Sequence, residues 1–172
     1  MIARGVLAAA VLAISACSPP LAYAADHDEP RPYAADIDAM TAVDAALSRA
    51  TLAGKRVILV MGANWCHDSR GLAEHLESAR FAPLIAGNFE VVYVDAGRPR
   101  DDEAANMDVA RRFGVEALVG TPNVFILSAA GERLNDEEDV LGWRDAASRD
   151  PDDIHAYFEG YRAPDARGNP VR

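Results

Sequence analysis

Apolar residues recur at Ile37, Met40, Val43, Leu47 and Ala50, the spacing of one helical face, so the chain from Asp36 predicts an amphipathic helix. Asp36 or Asp38 can cap its first free amides, and Gly54 can end it in a left-handed conformation. Val57-Ile58-Leu59-Val60-Met61 follows without alternation, as expected of a central strand covered on both faces. Gly62 to Ser69 then turns the chain into a second helix with Leu72 and Leu76 inward. Phe81, Leu84 and Ile85 continue its apolar pattern past a break near Arg80.

Phe89 to Val94 predicts a second buried strand, ended by Asp95-Ala96-Gly97. Met107, Ala110 and Phe113 mark a third helix, stopped by Gly114. Asn123 to Leu127 is a further strand, with Pro122 at its entry, where no ladder donor is needed. A hairpin at Ala129 to Glu132 leads to a short partner around Arg133 and Leu134. The last helix has Asp150 as its cap, Pro151 at its first position and a stripe of Ile154, Tyr157, Phe158 and Tyr161. Residues 135–149, with Asp136-Glu137-Glu138-Asp139, read either as a solvated loop anchored by Trp143 or as a rim over the active-site end. The order predicts an α/β fold, a three-layer sandwich whose mixed sheet has its first two strands parallel and antiparallel ones added by the hairpin.

The N-terminus has a different pattern. Arg4 precedes an apolar run from Gly5 to Ile14, far short of the roughly 20 residues that span a bilayer as a helix, and small residues follow. This is the layout of a secretory signal. Two exits stay open. Ile14-Ser15-Ala16-Cys17 resembles a lipobox, making 1–16 a lipoprotein signal with a lipidated Cys17, and Ser18 after it would direct the protein to the outer membrane. Cleavage after Ala22-Tyr23-Ala24 would instead make 1–24 a signal peptide and leave a soluble periplasmic protein. Residues 25–35 are expected to be a flexible tether, 36–162 the domain and 163–172 a flexible tail.

Charge narrows the partners. The 172 residues carry 17 Lys plus Arg against 27 Asp plus Glu, a net of -10. With one lysine, Lys55, and dispersed arginines, neither nucleic acid nor an anionic membrane surface is expected to bind, and membrane association is expected only through a lipid on Cys17. Cys17 lies in the leader, so Cys66 has no partner for a disulfide within the domain. His27, His67, His75 and His155 are dispersed, and no metal or other cofactor is expected.

Trp65-Cys66-His67-Asp68-Ser69 at a strand-to-helix junction, with Gly120-Thr121-Pro122 opening a strand 55 residues after the cysteine, resembles the thioredoxin superfamily. The resemblance covers roughly residues 37–161 and is to exported thioredoxin-like proteins with a one-cysteine Cys-x-x-Ser site; the first strand of a full thioredoxin is not evident. Cys66 is expected in the first turn of a helix, where free amides and the helix dipole favour a thiolate. A charged His67 pushes the same way, and Asp68 opposes it. Ser69, on the same helix face, can donate a hydrogen bond to the sulfur but cannot attack a disulfide, so the second exchange step of a two-cysteine site is missing. The position that matches the buried acid of thioredoxins is Val60. The resemblance implies that Pro122 is a cis-proline and that the Thr121 backbone pairs with an extended bound peptide; Trp65 reads either as a packing residue or as a partly exposed contact beside the thiol.

Two functions follow from these residues. Cys66 engages partner disulfides or thiols as mixed disulfides, with an external small thiol or protein thiol resolving them; or the fold serves as a non-catalytic binding or chaperone-like domain with a vestigial site. A peroxidase-like use of Cys66 is disfavoured, because nothing in the sequence places an arginine over the thiol.

Overall fold

The computed structural model describes residues 31–163. The expected signal, Cys17, most of the tether and all but the first residue of the expected tail lie outside them. Helix α1 (Ala39–Ala53) begins where Asp38 accepts the Thr41 amide and ends at Gly54, whose φ of 66° places it in the left-handed region. Strand β1 (Arg56–Gly62) follows, then α2 (His67–Glu77), α3 (Ala82–Asn88) and β2 (Phe89–Asp95). A two-stranded ribbon, β3 (Gly97–Arg98) and β4 (Glu103–Ala104), brackets a 3-10 turn at Pro99–Asp101. Then come α4 (Met107–Arg112), β5 (Asn123–Leu127), α5 (Glu137–Leu141), a 3-10 turn at Ala146–Ser148 and α6 (Pro151–Gly160).

The main sheet has the order β2-β1-β5, with β1 parallel to β2 and antiparallel to β5. Because β1 is central, both faces of its apolar run are used. Val57, Leu59 and Met61 pack with Val92, Val94, Phe125 and Leu127 beneath α1, α4 and α5. Ile58 and Val60 face the other way and join Val124, Ile126, Leu72, Leu76, Phe81, Trp143, Ile154 and Phe158 on the side of α2, α3 and α6. Alternate residues of one strand thus feed two separate cores, which is why no polar position interrupts them. The expected sandwich and its mixed sheet are both present.

Three details depart from the sequence reading. Tyr33, assigned to a flexible tether, is 1% exposed and belongs to the second core. The hairpin after β5 makes only a Leu127–Arg133 bridge, extended by the Leu134 amide donating to the Ile126 carbonyl. Beyond that point a side chain does the work of a strand: Asn135 Oδ1 accepts the Ile126 amide at 2.9 Å and its Nδ2 donates to the Val124 carbonyl at 2.9 Å. Finally, residues 135–149 are no open loop. Asp136 caps α5 by accepting the Asp139 amide, and Trp143 stacks on Phe158 with ring centroids 5.4 Å apart.

Asn135→Leu keeps the branched shape but leaves the Ile126 amide and Val124 carbonyl unpaired. It should cost about 1–3 kcal/mol for each orphaned group, read as a lower urea midpoint with an unchanged slope.

Candidate functional site

The pairing of β1 with β5 sets the site. Met61 lies opposite Asn123, so the chain leaving β1 at Gly62 emerges beside the segment that enters β5. The Cys66 amide donates to the Ala63 carbonyl, closing a turn, and the Arg70 amide donates to the Cys66 carbonyl, starting α2. Cys66 is therefore the N-cap of α2, with extended backbone, one step before the first turn in which it was expected. Across from it the Thr121–Pro122 peptide bond is cis. Cys66 Sγ donates to the Thr121 carbonyl at 3.4 Å, a contact that exists only while the sulfur carries its proton.

The neighbours of the thiol fall into different roles. Cys66 is 9% exposed, Trp65 50% exposed, and His67 stands exposed at the mouth. Trp65 Nε1 donates to the Gly97 carbonyl at 3.1 Å, and the Arg98 guanidinium lies 5.0 Å from its ring, which ties the ribbon to the site. Asp68, expected to oppose a thiolate, accepts the Ala147 amide at 3.0 Å and fastens the 146–148 turn to α2. Ser69 is fully buried, and its Oγ makes no hydrogen bond to the sulfur or to any other described residue. The donation expected from it is not formed. Val60 is also fully buried and apolar, among the second core's side chains.

Trp65, Cys66, His67, Asp68, Pro99, Arg100, Gly120, Thr121 and Arg144 enclose a cavity of about 290 Å³ over the thiol. Its two arginines were missed in the sequence. Arg100 comes from the turn in the ribbon, and Arg144 from the segment between α5 and the 146–148 turn, 34 and 78 residues from the cysteine. No pattern local to Cys66 signals either. Among the described residues, no cluster of His, Cys, Asp and Glu is arranged to hold a metal ion, and no helix is long and apolar enough to cross a membrane.

A sequence profile described as thioredoxin-like matches residues 38–129. The chain belongs to the thioredoxin-like family. Among solved structures it is similar to a disulphide isomerase from Xylella fastidiosa Temecula1, with 30% identity over 74% of this chain and 94% of that one and a TM-score of 0.64. No curated protein matches. Within this thioredoxin-like domain, Cys66 is the single cysteine of the described residues.

Beneath the site, Tyr33 replaces what the sequence read as a tether with a clamp. The Asn64 side chain accepts the Tyr33 amide at 3.3 Å and donates to its carbonyl at 2.7 Å. The Tyr33 hydroxyl donates to the Ser69 carbonyl at 2.9 Å. Gly62 makes room for the ring, since a Cβ there would lie 2.5 Å from its carbons. Burial, with smaller contributions from Tyr93 and Cys66, pushes the Tyr33 hydroxyl well above the ordinary phenol range, and burial followed by the Glu77 charge does the same for Tyr93.

Both tyrosines hold their protons in the folded protein after they would ionise in the unfolded chain. Their contribution to stability is complete below about pH 10 and is lost as pH rises above it. Alkaline titration should therefore show stability falling from about pH 10, with part of the tyrosinate absorbance appearing only on unfolding. Tyr33→Phe should make that fall shallower while costing about 1 kcal/mol at neutral pH through its lost hydrogen bond.

Proposed function

We propose that this protein is a one-thiol exchange protein: Cys66 engages partner disulfides as mixed disulfides, and an external thiol resolves them. The observation that carries the reading is the placement of Cys66 Sγ at the head of α2, on the wall of an open cavity and 3.4 Å from the Thr121 carbonyl. Membership of the thioredoxin-like family and the similarity to a disulphide isomerase support it.

In the step proposed, Cys66 gives its proton to solvent and its sulfur attacks one sulfur of the partner disulfide. A Cys66–partner disulfide forms, the partner's own disulfide breaks, and the departing sulfur leaves as a thiolate with the bonding electron pair. Thr121 and Trp65 would hold the partner while this occurs, and His67 at the cavity mouth would add positive charge when protonated. Ser69 lies where a second thiol would be needed for internal resolution, so the adduct waits for a thiol from outside. Export to the periplasm, with Cys17 either lipidated or removed with the leader, belongs to the same proposal and rests on the Arg4 to Ala24 pattern.

The second reading, a binding domain with a vestigial site, has one observation in its favour. The Thr121 carbonyl, an acceptor a bound peptide would need, is occupied by the Cys66 thiol itself.

The two readings separate in a trapping experiment. The purified protein mixed with a peptide disulfide should accumulate a mixed disulfide, seen by non-reducing mass spectrometry, and release it only on addition of a small thiol. Cys66→Ala should capture nothing. Ser69→Cys should release the peptide unaided at least about tenfold faster, because an internal thiol replaces a bimolecular step. A folded wild type that binds the peptide without forming the adduct would establish the binding-domain reading instead.

A further inference from the structure

The cavity over Cys66 carries a charge arrangement that thiol exchange by itself does not require. Arg100 and Arg144 arrive from separate segments and converge over Gly120. A Cβ at that glycine would lie 2.8 Å from Arg144 Cδ and 3.4 Å from Arg100 Nε. The absence of a side chain at 120 leaves room for Arg144 to lean across the wall next to Thr121, with Arg100 at contact distance on the same side. Both are exposed, and neither forms an ion pair or hydrogen bond with any described residue.

Of the described cations, Arg49, Lys55, Arg80, Arg98, Arg111, Arg112, Arg149 and Arg162 are each paired with a carboxylate, whereas Arg31, Arg56, Arg100, Arg133 and Arg144 are not; what sets Arg100 and Arg144 apart is that both line one opening of a chain with 27 acidic residues. Two guanidinium groups kept unpaired at the same opening, on a chain with a net charge of -10, are placed to receive negative charge from outside. The acid in the cavity wall, Asp68, is engaged with the Ala147 amide. Thr121 supplies a further feature. It is 5% exposed, and its Oγ1 has no hydrogen-bond partner, so the wall also contains a buried hydroxyl without a protein partner.

We propose that this cavity is a recognition site for a small carboxylate-bearing thiol or disulfide, with Arg100 and Arg144 binding its carboxylates while its sulfur meets Cys66. This inference rests on the thiol-exchange reading and names the class of molecule that would form or resolve the mixed disulfide. A space of about 290 Å³ lies at the small end of ligand pockets, which suits a compact thiol better than a folded protein surface. The carboxylates give the arginines bidentate partners and bring the reacting sulfur to the thiol already oriented. In the forward step Cys66 attacks the small disulfide and one half leaves as its thiolate. In the reverse step the small thiolate attacks the small-thiol sulfur of the Cys66 adduct, the small disulfide re-forms, and Cys66 departs as its thiolate with the electron pair.

The test compares three small disulfides on the full-length protein: the dicarboxylate dithiobis(nitrobenzoate), neutral dithiodipyridine and cationic cystamine. Labelling rates of Cys66 are measured for wild type and for Arg100→Gln, Arg144→Gln and the double variant. The anionic-to-neutral rate ratio should fall about tenfold in the double variant, the Coulomb effect on one probe charge of two guanidinium charges at about 6 Å in a water-like dielectric, and the cationic-to-neutral ratio should rise. The anionic-to-neutral ratio should fall likewise in wild type when salt is raised. A ratio unchanged in the variants, with the neutral probe reacting normally, overturns the anion site and leaves thiol exchange standing. If Cys66 reacts with none of the three, thiol exchange fails, and the site is decided by S-methylglutathione, which has two carboxylates and no thiol. Saturable shifts of the arginine side-chain NMR signals, lost in the double variant, would uphold the site; no binding would overturn it.

Discussion

The antiparallel pairing of β1 with β5 is the constraint on which the rest depends. It sets Met61 opposite Asn123 in the fully buried centre of the sheet, so one strand's exit and the other's entry must lie side by side. Asn123 reinforces the junction by donating to the Gly120 carbonyl at 2.8 Å and the Met61 carbonyl at 3.3 Å. From that adjacency follow the meeting of Cys66 with Thr121, the wall formed by Gly120 and the cavity above them. A one-residue slip in register would reverse which core each residue of β1 faces and would part the thiol from its carbonyl.

The elements with local causes were legible in the sequence. Helix α6 shows its cap, its first-turn proline and its apolar stripe within a dozen residues, and all three are found where they were read. Helix α1 and the doubly buried β1 were equally plain, because periodicity and its absence are local signals. What escaped detection depends on contacts far apart in the chain. Tyr33 is held by Asn64 and roofed by the bare backbone of Gly62, and nothing near Tyr33, among acids and prolines, announces either partner. Asn135 replaces a strand by offering an amide side chain to two backbone groups, which no β-pattern reveals. Trp143 was seen as an anchor, but the order it imposes on residues around it, and so the position of Arg144, emerges only with the stacked Phe158 in place.

The site was legible in kind and not in detail. The family resemblance carried by Trp65-Cys66 and Gly120-Thr121-Pro122 pointed to Cys66, Thr121 and Pro122, and the fold brings these together. Residue types and spacing did not reveal that Asp68 is consumed in tethering the 146–148 turn or that the Ser69 hydroxyl is fully buried without a hydrogen bond to the sulfur. Nor could they place two arginines at the opening. The resulting arrangement is asymmetric: family fold and a half-buried entrance are retained, the second thiol is replaced by a hydroxyl, and positive charge gathers at the mouth of an acidic protein. The proposed one-thiol chemistry, which depends on an outside partner for its second step, accounts for the first two features, and the third is what the proposed anion site adds.

The central claim is that Cys66 is an accessible thiol in the folded protein and not an inert core side chain, a distinction that its 9% exposure makes sharp. The most direct measurement is the rate at which a neutral alkylating reagent modifies Cys66 across increasing urea below the unfolding transition, beside an unstructured peptide containing the same Trp-Cys-His sequence. The account predicts native-state labelling at a rate that stays flat with urea until the protein unfolds. A rate that is negligible without denaturant and climbs with urea in proportion to the unfolded fraction would show that the sulfur is reached only by opening the fold, and would contradict the account.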